Sequence, residues 1–521
     1  MRGKKGIAFL MGVMLLVGTT AACGKNNSGG EEQTAGYGEG YPIQTDETLT
    51  FWTDTPANQD YKSFRDQPFY KGLMEKTGVN LDMTFVTGGQ GVEAFNLLMA
   101  SGDLPDIVAY AWTSVSGGPA KYISEKYIMP LNDVFEKYAP NLTKYLNEHS
   151  EIAKMAKTDK GDYYGFPFIR DDNRLTTYRG PVTRKDFLEE AGLTIPETID
   201  EWEVMLKKYK EMGVESPLCV GSEMLYFASA FDTWPEYYIE DGKVVYGRAT
   251  PQYKDFLTKM SQWYQEGLID QDVASIDASI INSKMTTGKG GVALGTGGTM
   301  GTWLTAGKAA DPGYSLVALP YPVLTKGKQS EFGYKENQYN GFAAAISSNC
   351  KNMELAARFL DYAYSEEGSL YYNFGIEGES YSMVNGYPTF TQAMYDYKQG
   401  DLGAGISRYI GSMTQNACIQ DYRMYEQRMQ SQEQKDAIET WSRTNMDAHL
   451  LPTVLPTAEE SQEAANLDNT VKTYTDEMFF RFLFGKESLD QFDAYLEQLN
   501  TMGLPRVLEL KQASYERYNK R

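Results

Sequence analysis

The sequence is poor in the residues on which most catalytic and metal sites depend. Its 521 residues include four cysteines and only two histidines, His149 and His449. The cysteines are far apart and form no Cys-x-x-Cys pair, so neither a zinc site nor a disulfide framework is predicted. No GxSxG, HExxH or GxxxxGK[ST] motif occurs, and the corresponding hydrolase, protease and ATPase sites are therefore not indicated. Both histidines have polar neighbours and are interpreted as structural or surface residues.

Positive charge is also scarce. The chain has 49 Lys and Arg against 70 Asp and Glu, a net charge of −21. Because phosphate backbones are bound by clustered Lys and Arg, this balance argues against nucleic acid as a partner. Aromatic residues are abundant by contrast, at 13% of the chain with 38 tyrosines. Flat rings with polar tips are therefore available for contact with a ligand.

Long apolar runs are absent, apart from a short one near the start. A basic beginning, the apolar stretch 7–17 and the small residues 18–22 are typical of a secretory signal peptide, predicted over residues 1–22. A permanent membrane helix would need about 20 apolar residues, and it is the weaker interpretation.

A cysteine marks the end of this leader. In "TTAACGKNNSGG" (19–30), Cys23 directly follows small residues, a pattern that resembles the lipobox of bacterial lipoproteins, although Thr20 stands where Leu is preferred. The resemblance implies that Cys23 carries lipid such as palmitate, that residues 23–44 form a flexible tether, and that the protein is anchored at the extracellular face of the cell membrane. An ordinary secreted protein with a stray cysteine is the alternative.

From residue 45 the chain alternates predicted strands and helices. The segments "TLTFWT" (48–53), "VNLDMTFV" (79–86) and "PDIVAYAW" (105–112) predict strands, and 66–76 and 91–100 predict the helices between them. This order predicts an α/β fold with a parallel sheet. Ligands of such sheets bind beyond the carboxyl ends of the strands.

A second α/β region starts near Arg170. "TIDEW" (198–202) predicts a helix whose N-cap is Thr198 and whose capping box is completed by Glu201. Residues 253–267 predict another amphipathic helix.

The glycines of "MTTGKGGVALGTGGTMGTW" (285–303) loosely fit a dinucleotide fingerprint. However, that fingerprint follows a strand, whereas here glycines precede the apolar "GVAL" (291–294), which itself predicts the strand. We therefore expect a helix, a turn, a strand and then a glycine-rich loop that presents Trp303 at a strand end.

Seven segments, taken in order, resemble the extracellular solute-binding proteins of ABC importers, of the large carbohydrate-binding type related to maltose-binding protein. The resemblance covers roughly residues 45 to 518. The segments are "FEKYAPNLTKYL" (135–146), "DKGDYYGFPF" (159–168), "TRKDFLEEAGLTIPETIDEW" (183–202), "WYQEGLIDQD" (263–272), "ALPYPVLTKGKQ" (318–329), "AAISSNCKNMELAARFLDYAYSEEGSLYYNFGIEGESY" (344–381) and "TMGLPRVLELKQASYERY" (501–518).

The resemblance implies a periplasmic-binding-protein-like clamshell of two lobes, with hinge crossovers expected near Phe168, Tyr339 and Gly400. The lobes would close on a ligand by a hinge motion, and the ligand would shift the population toward the closed form. The implied parts are an N-terminal lobe of 45–168 and 340–400 and a C-terminal lobe of 169–339 and 401–521.

The implied function is capture of an oligosaccharide and its delivery to ABC permease subunits, by a monomeric protein that is not an enzyme and needs no cofactor. Two alternatives stay open. One is a receptor for another solute such as a peptide. The other is a surface-anchored carbohydrate-active enzyme. Glycoside hydrolysis needs a pair of carboxylates, and the sequence, with its 70 acidic residues, does not exclude such a pair.

Many large members of this group carry a calcium loop rich in Asp and Asn after the helix that "TIDEW" begins. The corresponding "KYKEMGVESPL" (208–218) lacks EF-hand spacing, and no metal is predicted there. "RDDNR" (170–174) is interpreted as a polar segment at the cleft edge.

Sugars present a polar rim and apolar C–H faces, so their receptors combine aromatic rings with carboxylates and amides. For every predicted tryptophan, packing in the core is the alternative. The predicted stacking residues are Trp112, Trp303 and Trp441, followed by Trp52 and Trp234. The predicted polar partners are Asp54, Arg170, Asp171, Glu377 and Arg443.

Overall fold

The computed structural model describes residues 37–38, 40–86, 88–398 and 402–521, and residues Gly40–Arg521 form one compact unit. The predicted signal peptide, Cys23 and most of the predicted tether lie outside these residues. Across the described ranges, no helix combines the length and the apolar character that crossing a membrane requires.

Strands and helices alternate through the described part of the chain. The strands are β1 Thr48–Thr53, β2 Asn80–Phe85, β3 Ile107–Ala111, β4 Phe166–Pro167, β5 Ile169–Arg170, β6 Arg179–Arg184, β7 Ser216–Leu218, β8 Tyr237–Glu240, β9 Lys243–Tyr246, β10 Gly290–Thr296, β11 Leu316–Ala318, β12 Phe342–Ile346, β13 Tyr381–Val384, β14 Tyr387–Phe390 and β15 Ile419–Gln420. The helices are α1 Pro68–Thr77, α2 Gly91–Ser101, α3 Gly118–Ser124, α4 Asn132–Tyr138, α5 Pro140–Glu148, α6 Ser150–Met155, α7 Asn173–Thr176, α8 Lys185–Glu190, α9 Ile199–Glu211, α10 Pro251–Gln265, α11 Ala278–Thr286, α12 Gly297–Ala310, α13 Met353–Asp361, α14 Glu366–Phe374, α15 Gln392–Asp396, α16 Leu402–Tyr409, α17 Tyr422–Glu426, α18 Gln432–Trp441, α19 Met446–His449, α20 Ser461–Leu483, α21 Phe492–Thr501 and α22 Leu504–Asn519.

The first sheet has the strand order β2-β1-β3-β12-β4. Strand β1 runs parallel to β2 and β3, whereas β12 is antiparallel to β3 and β4. The three strands predicted from the sequence are therefore confirmed as a parallel group, and their carboxyl ends meet at one edge of the sheet.

The second sheet has the order β11-β6-β10-β7. Its strand β10 contains the predicted "GVAL" segment. Helix α9 begins as predicted, because the Thr198 side chain accepts from the Glu201 backbone N–H and the Glu201 carboxylate accepts from the Thr198 N–H. Helices α9, α10 and α20 bury their apolar faces in one large core beside this sheet.

The chain passes between the two sheets through segments that lie side by side. Phe168 N–H donates to Phe342 O at 2.9 Å, Arg170 N–H donates to Gln338 O at 2.8 Å, and Ile169 N–H donates to Cys418 O at 2.9 Å. We name the part that holds the first sheet the N-lobe and the part that holds the second sheet the C-lobe.

The contacts of α16 and its following loop indicate where the third crossing lies. The Asn58 amide donates to Ser407 Oγ at 3.0 Å, and the Gln67 amide donates to Ser407 O at 2.6 Å. Residues 402–417 therefore belong with the N-lobe, and we place the third crossing at 418–420. The expected position near Gly400 lies outside the described residues.

The last helix of the C-lobe ends on the N-lobe. Arg517 and Arg521 both bond the carboxylate of Asp159, and the Arg521 guanidinium also donates to the carbonyl oxygens of Lys154, at 2.9 Å, and Lys157, at 2.6 Å. The two lobes are thus joined by this ionic contact as well as by the three crossings.

Candidate functional site

A cavity of about 960 Å³ lies between the lobes. Helix α12 of the C-lobe lines the cavity, and so do Leu402 and Thr414 of the N-lobe. Arg170 and Gln420, which belong to two of the crossing segments, also line it. Because both lobes and the crossings contribute, this cavity is the candidate ligand site.

Helix α12 has a buried face and a cavity face. Met300 and Trp303 are fully buried, whereas Gly298, Thr302 and Thr305 line the cavity. The expectation of a glycine-rich loop here was wrong, because these residues form the first turns of a helix. The low helix propensity of glycine is overcome by a Thr296 N-cap and by apolar residues at helical spacing.

An ionic network forms the floor of the cavity at Arg170. Its guanidinium pairs with Glu336, and the same carboxylate accepts hydrogen bonds from the hydroxyls of Tyr178 and Tyr334, which lie 2.8 Å apart. Burial opposes ionisation of Glu336, but Arg170 and the two tyrosine hydroxyls together hold the pKa of this carboxyl below its usual value. The network fixes the Tyr178 ring in the cavity wall.

Sequence reasoning missed the segment that follows the third crossing. Tyr425 and Arg428 line the cavity beside Met429, Ser431 and Gln434. The ring of Tyr425 is partly buried, and burial raises the pKa of its hydroxyl. No motif in "YRMYEQRMQS" (422–431) signals this role, because the side chains meet α12 only through the tertiary fold.

Three predicted stacking residues are instead held within the core. Trp112, Trp303 and Trp441 are each 0% exposed. Each indole N–H is satisfied inside the protein: Trp112 donates to Ala343 O at 3.0 Å, Trp303 to Asn282 Oδ1 at 2.7 Å and Trp441 to Pro181 O at 3.1 Å. No face of these rings is open to a ligand in this conformation, which favours core packing, the alternative left open by the sequence.

The other two tryptophans are also buried. Trp52 packs against Phe95 and Tyr110, and Trp234 stacks on Tyr226 with ring centroids 5.0 Å apart. Neither lines the cavity between the lobes. Their predicted stacking role therefore has no support from the geometry.

The predicted polar residues divide between the cavity and other surfaces. Arg170 lines the cavity, whereas Asp54 does not, and its carboxylate accepts a hydrogen bond of 3.2 Å from the amide of Gln415. Asp171 accepts from the hydroxyl of Tyr145 at 2.7 Å instead. The other two predicted residues, Glu377 and Arg443, are exposed and do not line the cavity.

The three described cysteines, Cys219, Cys350 and Cys418, are buried free thiols, and burial raises the pKa of each to about 12. Within the described ranges, no group of three or more His, Cys, Asp or Glu side chains is arranged to hold a metal ion.

Comparisons with known proteins identify the architecture. The sequence model described as bacterial extracellular solute-binding protein matches residues 56–369. The fructooligosaccharide ABC transporter substrate-binding protein FusA of Streptococcus pneumoniae is 24% identical, over 96% of this chain and 95% of that protein. Lipoprotein LipO of Bacillus subtilis is 26% identical over 74% of each chain.

Solved structures agree with the two-lobed fold. The alginate-binding protein AlgQ2, in its structure without calcium ion, has a TM-score of 0.71 at 25% identity and covers 91% of this chain and 99% of its own. FusA in complex with kestose has a TM-score of 0.71 at 20% identity, over 91% of this chain and 100% of that chain. The expected two-lobe α/β fold is thereby confirmed, and the chain belongs to the family of bacterial extracellular solute-binding proteins.

Proposed function

We propose that this chain is the substrate-binding component of an ABC importer, which captures an oligosaccharide between its lobes and delivers it to permease subunits in the membrane. The proposal rests on the family and on the match to FusA, which spans nearly both chains. It makes the protein a carrier rather than an enzyme, and it requires no cofactor.

The observation that carries the proposal is the composition of the cavity wall. The rings of Tyr178 and Tyr425 offer apolar faces, while Thr302, Gln420 and Ser431 offer hydroxyl and amide groups. This mixture matches the C–H faces and hydroxyl rim of a sugar. A volume of about 960 Å³ lies at the upper end of the usual range for small-ligand sites, which suits a ligand of several sugar units.

A thermal-shift screen of residues 40–521 against oligosaccharides and peptides tests the ligand class. An oligosaccharide present at 100 times its dissociation constant is expected to stabilise the protein by about 2.7 kcal/mol. Calorimetry then gives the affinity, and chromatography of the incubated sugar shows whether it stays intact. Binding of peptides alone would point to the other solute class, and cleavage of the sugar would point to an enzyme.

Ligand binding is expected to bring the lobes together by bending at the three crossing segments. Small-angle scattering of the monomer should therefore give a smaller radius of gyration with ligand than without it. An unchanged radius with ligand shown to be bound would mean a rigid site.

The lipid anchor at Cys23 is part of the same proposal and is supported by the leader pattern and by the likeness to a protein named lipoprotein LipO. Replacement Cys23→Ser should move the protein from the membrane fraction to the medium, while its melting temperature stays unchanged. A serine variant that remained with the membrane would contradict acylation at this residue.

A further inference from the structure

One cation in the cavity wall has no counter-charge. Arg428 follows α17 and lines the cavity. Throughout the described residues, no carboxylate lies within ion-pair distance of its guanidinium, and no acceptor takes a hydrogen bond from it. Burial lowers the pKa of Arg428, and the nearby Tyr425 hydroxyl opposes that shift. An arginine nevertheless stays protonated in proteins, so the cavity contains an uncompensated charge.

The other two cations of the lining are neutralised. Arg170 is paired with Glu336, and the ammonium group of Lys308 lies 3.7 Å from the carboxylate of Glu433. No Asp or Glu is among the described residues that line the cavity. Because Arg170 and Lys308 are balanced by these carboxylates, Arg428 alone leaves the cavity wall with a net positive charge, in a chain whose net charge is −21.

Helix α12 adds to this positive charge. The helix runs for 14 residues from a Thr296 N-cap, and its first-turn residue Gly298 lies in the cavity wall. The amino end of a helix carries a partial positive charge of about half an elementary charge, which stabilises nearby anions. The helix end and Arg428 therefore favour the same sign of ligand charge.

We propose that the ligand is an anionic oligosaccharide, in which a carboxylate or sulfate on a sugar ring pairs with the guanidinium of Arg428. This inference rests on the proposed function and narrows its substrate class. The planar guanidinium offers two parallel N–H donors to such a group. A partly buried charge without a partner is unfavourable, so a ligand anion stabilises the complex both by its hydrogen bonds and by removing that penalty.

The test compares ligands that differ only in charge. Calorimetry is done with uronate oligosaccharides and their methyl esters, and with sulfated oligosaccharides and their desulfated forms. One charged member of a pair is expected to bind at least about tenfold more tightly than its neutral partner, because a hydrogen-bonded charge pair outweighs a neutral contact. The pair that shows this difference identifies the anion as carboxylate or sulfate.

The variant Arg428→Gln is expected to lose this discrimination, so that the charged and neutral members of the pair bind it with similar affinity. The matched control is Arg506→Gln, which removes the same charge from the surface of α22, where Arg506 pairs with Glu463 and Glu509. It should keep the discrimination. Arg428→Lys retains the charge and should keep part of the preference for the charged ligand. It therefore provides a second test if Arg428→Gln does not fold.

Equal affinities of the wild-type protein for charged and neutral members would overturn the inference, as would binding of neutral oligosaccharides alone. In both cases the proposed transport function would stand. Absence of binding to every oligosaccharide, charged or neutral, would overturn the proposed function together with the inference.

Discussion

The two faces of α12 place very different residues side by side. One face buries Met300 and Trp303 against the C-lobe sheet, whereas the other presents glycine and threonine to the cavity between the lobes. The large ring, which looks like a ligand contact in the sequence, holds the helix in place. The small residues, which look like a flexible loop, are the ones that leave room for a ligand.

A replacement on the buried face of α12 is expected to change the stability of the protein more than any other replacement considered below. The replacement Trp303→Ala removes a fully buried ring and its hydrogen bond to Asn282. Loss of such a ring lowers the free energy of unfolding by about 3–5 kcal/mol, as measured by urea denaturation. The affinity of the folded fraction should change little. A stable variant with strongly weakened binding would show instead that the ring reaches the ligand.

The ion pair between Arg170 and Glu336 should make the stability of the protein depend on pH. In Glu336→Gln, Arg170 loses its carboxylate partner, and the free energy of unfolding at pH 7 should fall by roughly 1.5–3 kcal/mol. The folded state lowers the pKa of Glu336, so the carboxylate stabilises the protein above the unfolded pKa. That contribution is lost as the pH falls through the lower folded pKa.

The difference between wild type and Glu336→Gln in urea denaturation should therefore shrink as the pH falls from about 5 toward about 3. The exposed Glu240→Gln serves as control and should follow the wild-type curve throughout. A difference that stays constant with pH would mean that the Arg170–Glu336 pair does not stabilise the floor.

A smaller effect is expected where Tyr425 lines the cavity. The replacement Tyr425→Ala removes one of the two aromatic rings in the described part of the cavity lining and should weaken binding by about 1–2 kcal/mol, the sum of burial and ring contact. Tyr425→Phe keeps the ring and should bind nearly as well as wild type in calorimetry. If Phe were as harmful as Ala, the hydroxyl rather than the ring would be the group that binds.

The smallest effect on stability is expected at the cavity face of α12. Apart from its chain neighbours and the backbone of its own helix, a Cβ added at Gly298 would meet only the Thr296 hydroxyl, at 3.6 Å. Gly298→Ala should therefore raise the free energy of unfolding by about 0.5 kcal/mol through helix propensity. Its methyl group would also occupy ligand space, so affinity should fall. A more stable protein with unchanged affinity would place the ligand away from α12.

Local patterns were sufficient to predict much of the fold. The strands at 48–53, 79–86 and 105–112 appear in the structure within two residues of their predicted bounds, because alternation and short apolar runs reflect burial directly. The Thr198 capping box is a local contact of four residues and was predicted completely. The Gly-rich segment after β10 was not, since its helix depends on packing against the sheet.

The candidate site was predicted much less well than the fold. Of ten proposed ligand-binding residues, Arg170 lines the cavity and the five tryptophans are buried. A tryptophan has the same sequence signature whether it packs in a core or stacks on a sugar, because exposure is decided by distant residues. The role of Arg428 could not be predicted from the sequence for the same reason, because its lack of a counter-charge depends on which residues surround it in the fold.

Both ends of the described chain rest on the N-lobe. Near the start, the Tyr41 hydroxyl donates to Arg358 O at 2.6 Å and its ring packs against Tyr362, while Arg521 at the other end is bound by carbonyl oxygens of residues 154 and 157. If Cys23 is acylated as proposed, the attachment to the membrane would enter the folded part of the chain at the N-lobe. Relative to the membrane, the N-lobe would then stay in place, and movement of the C-lobe would signal that a ligand is bound.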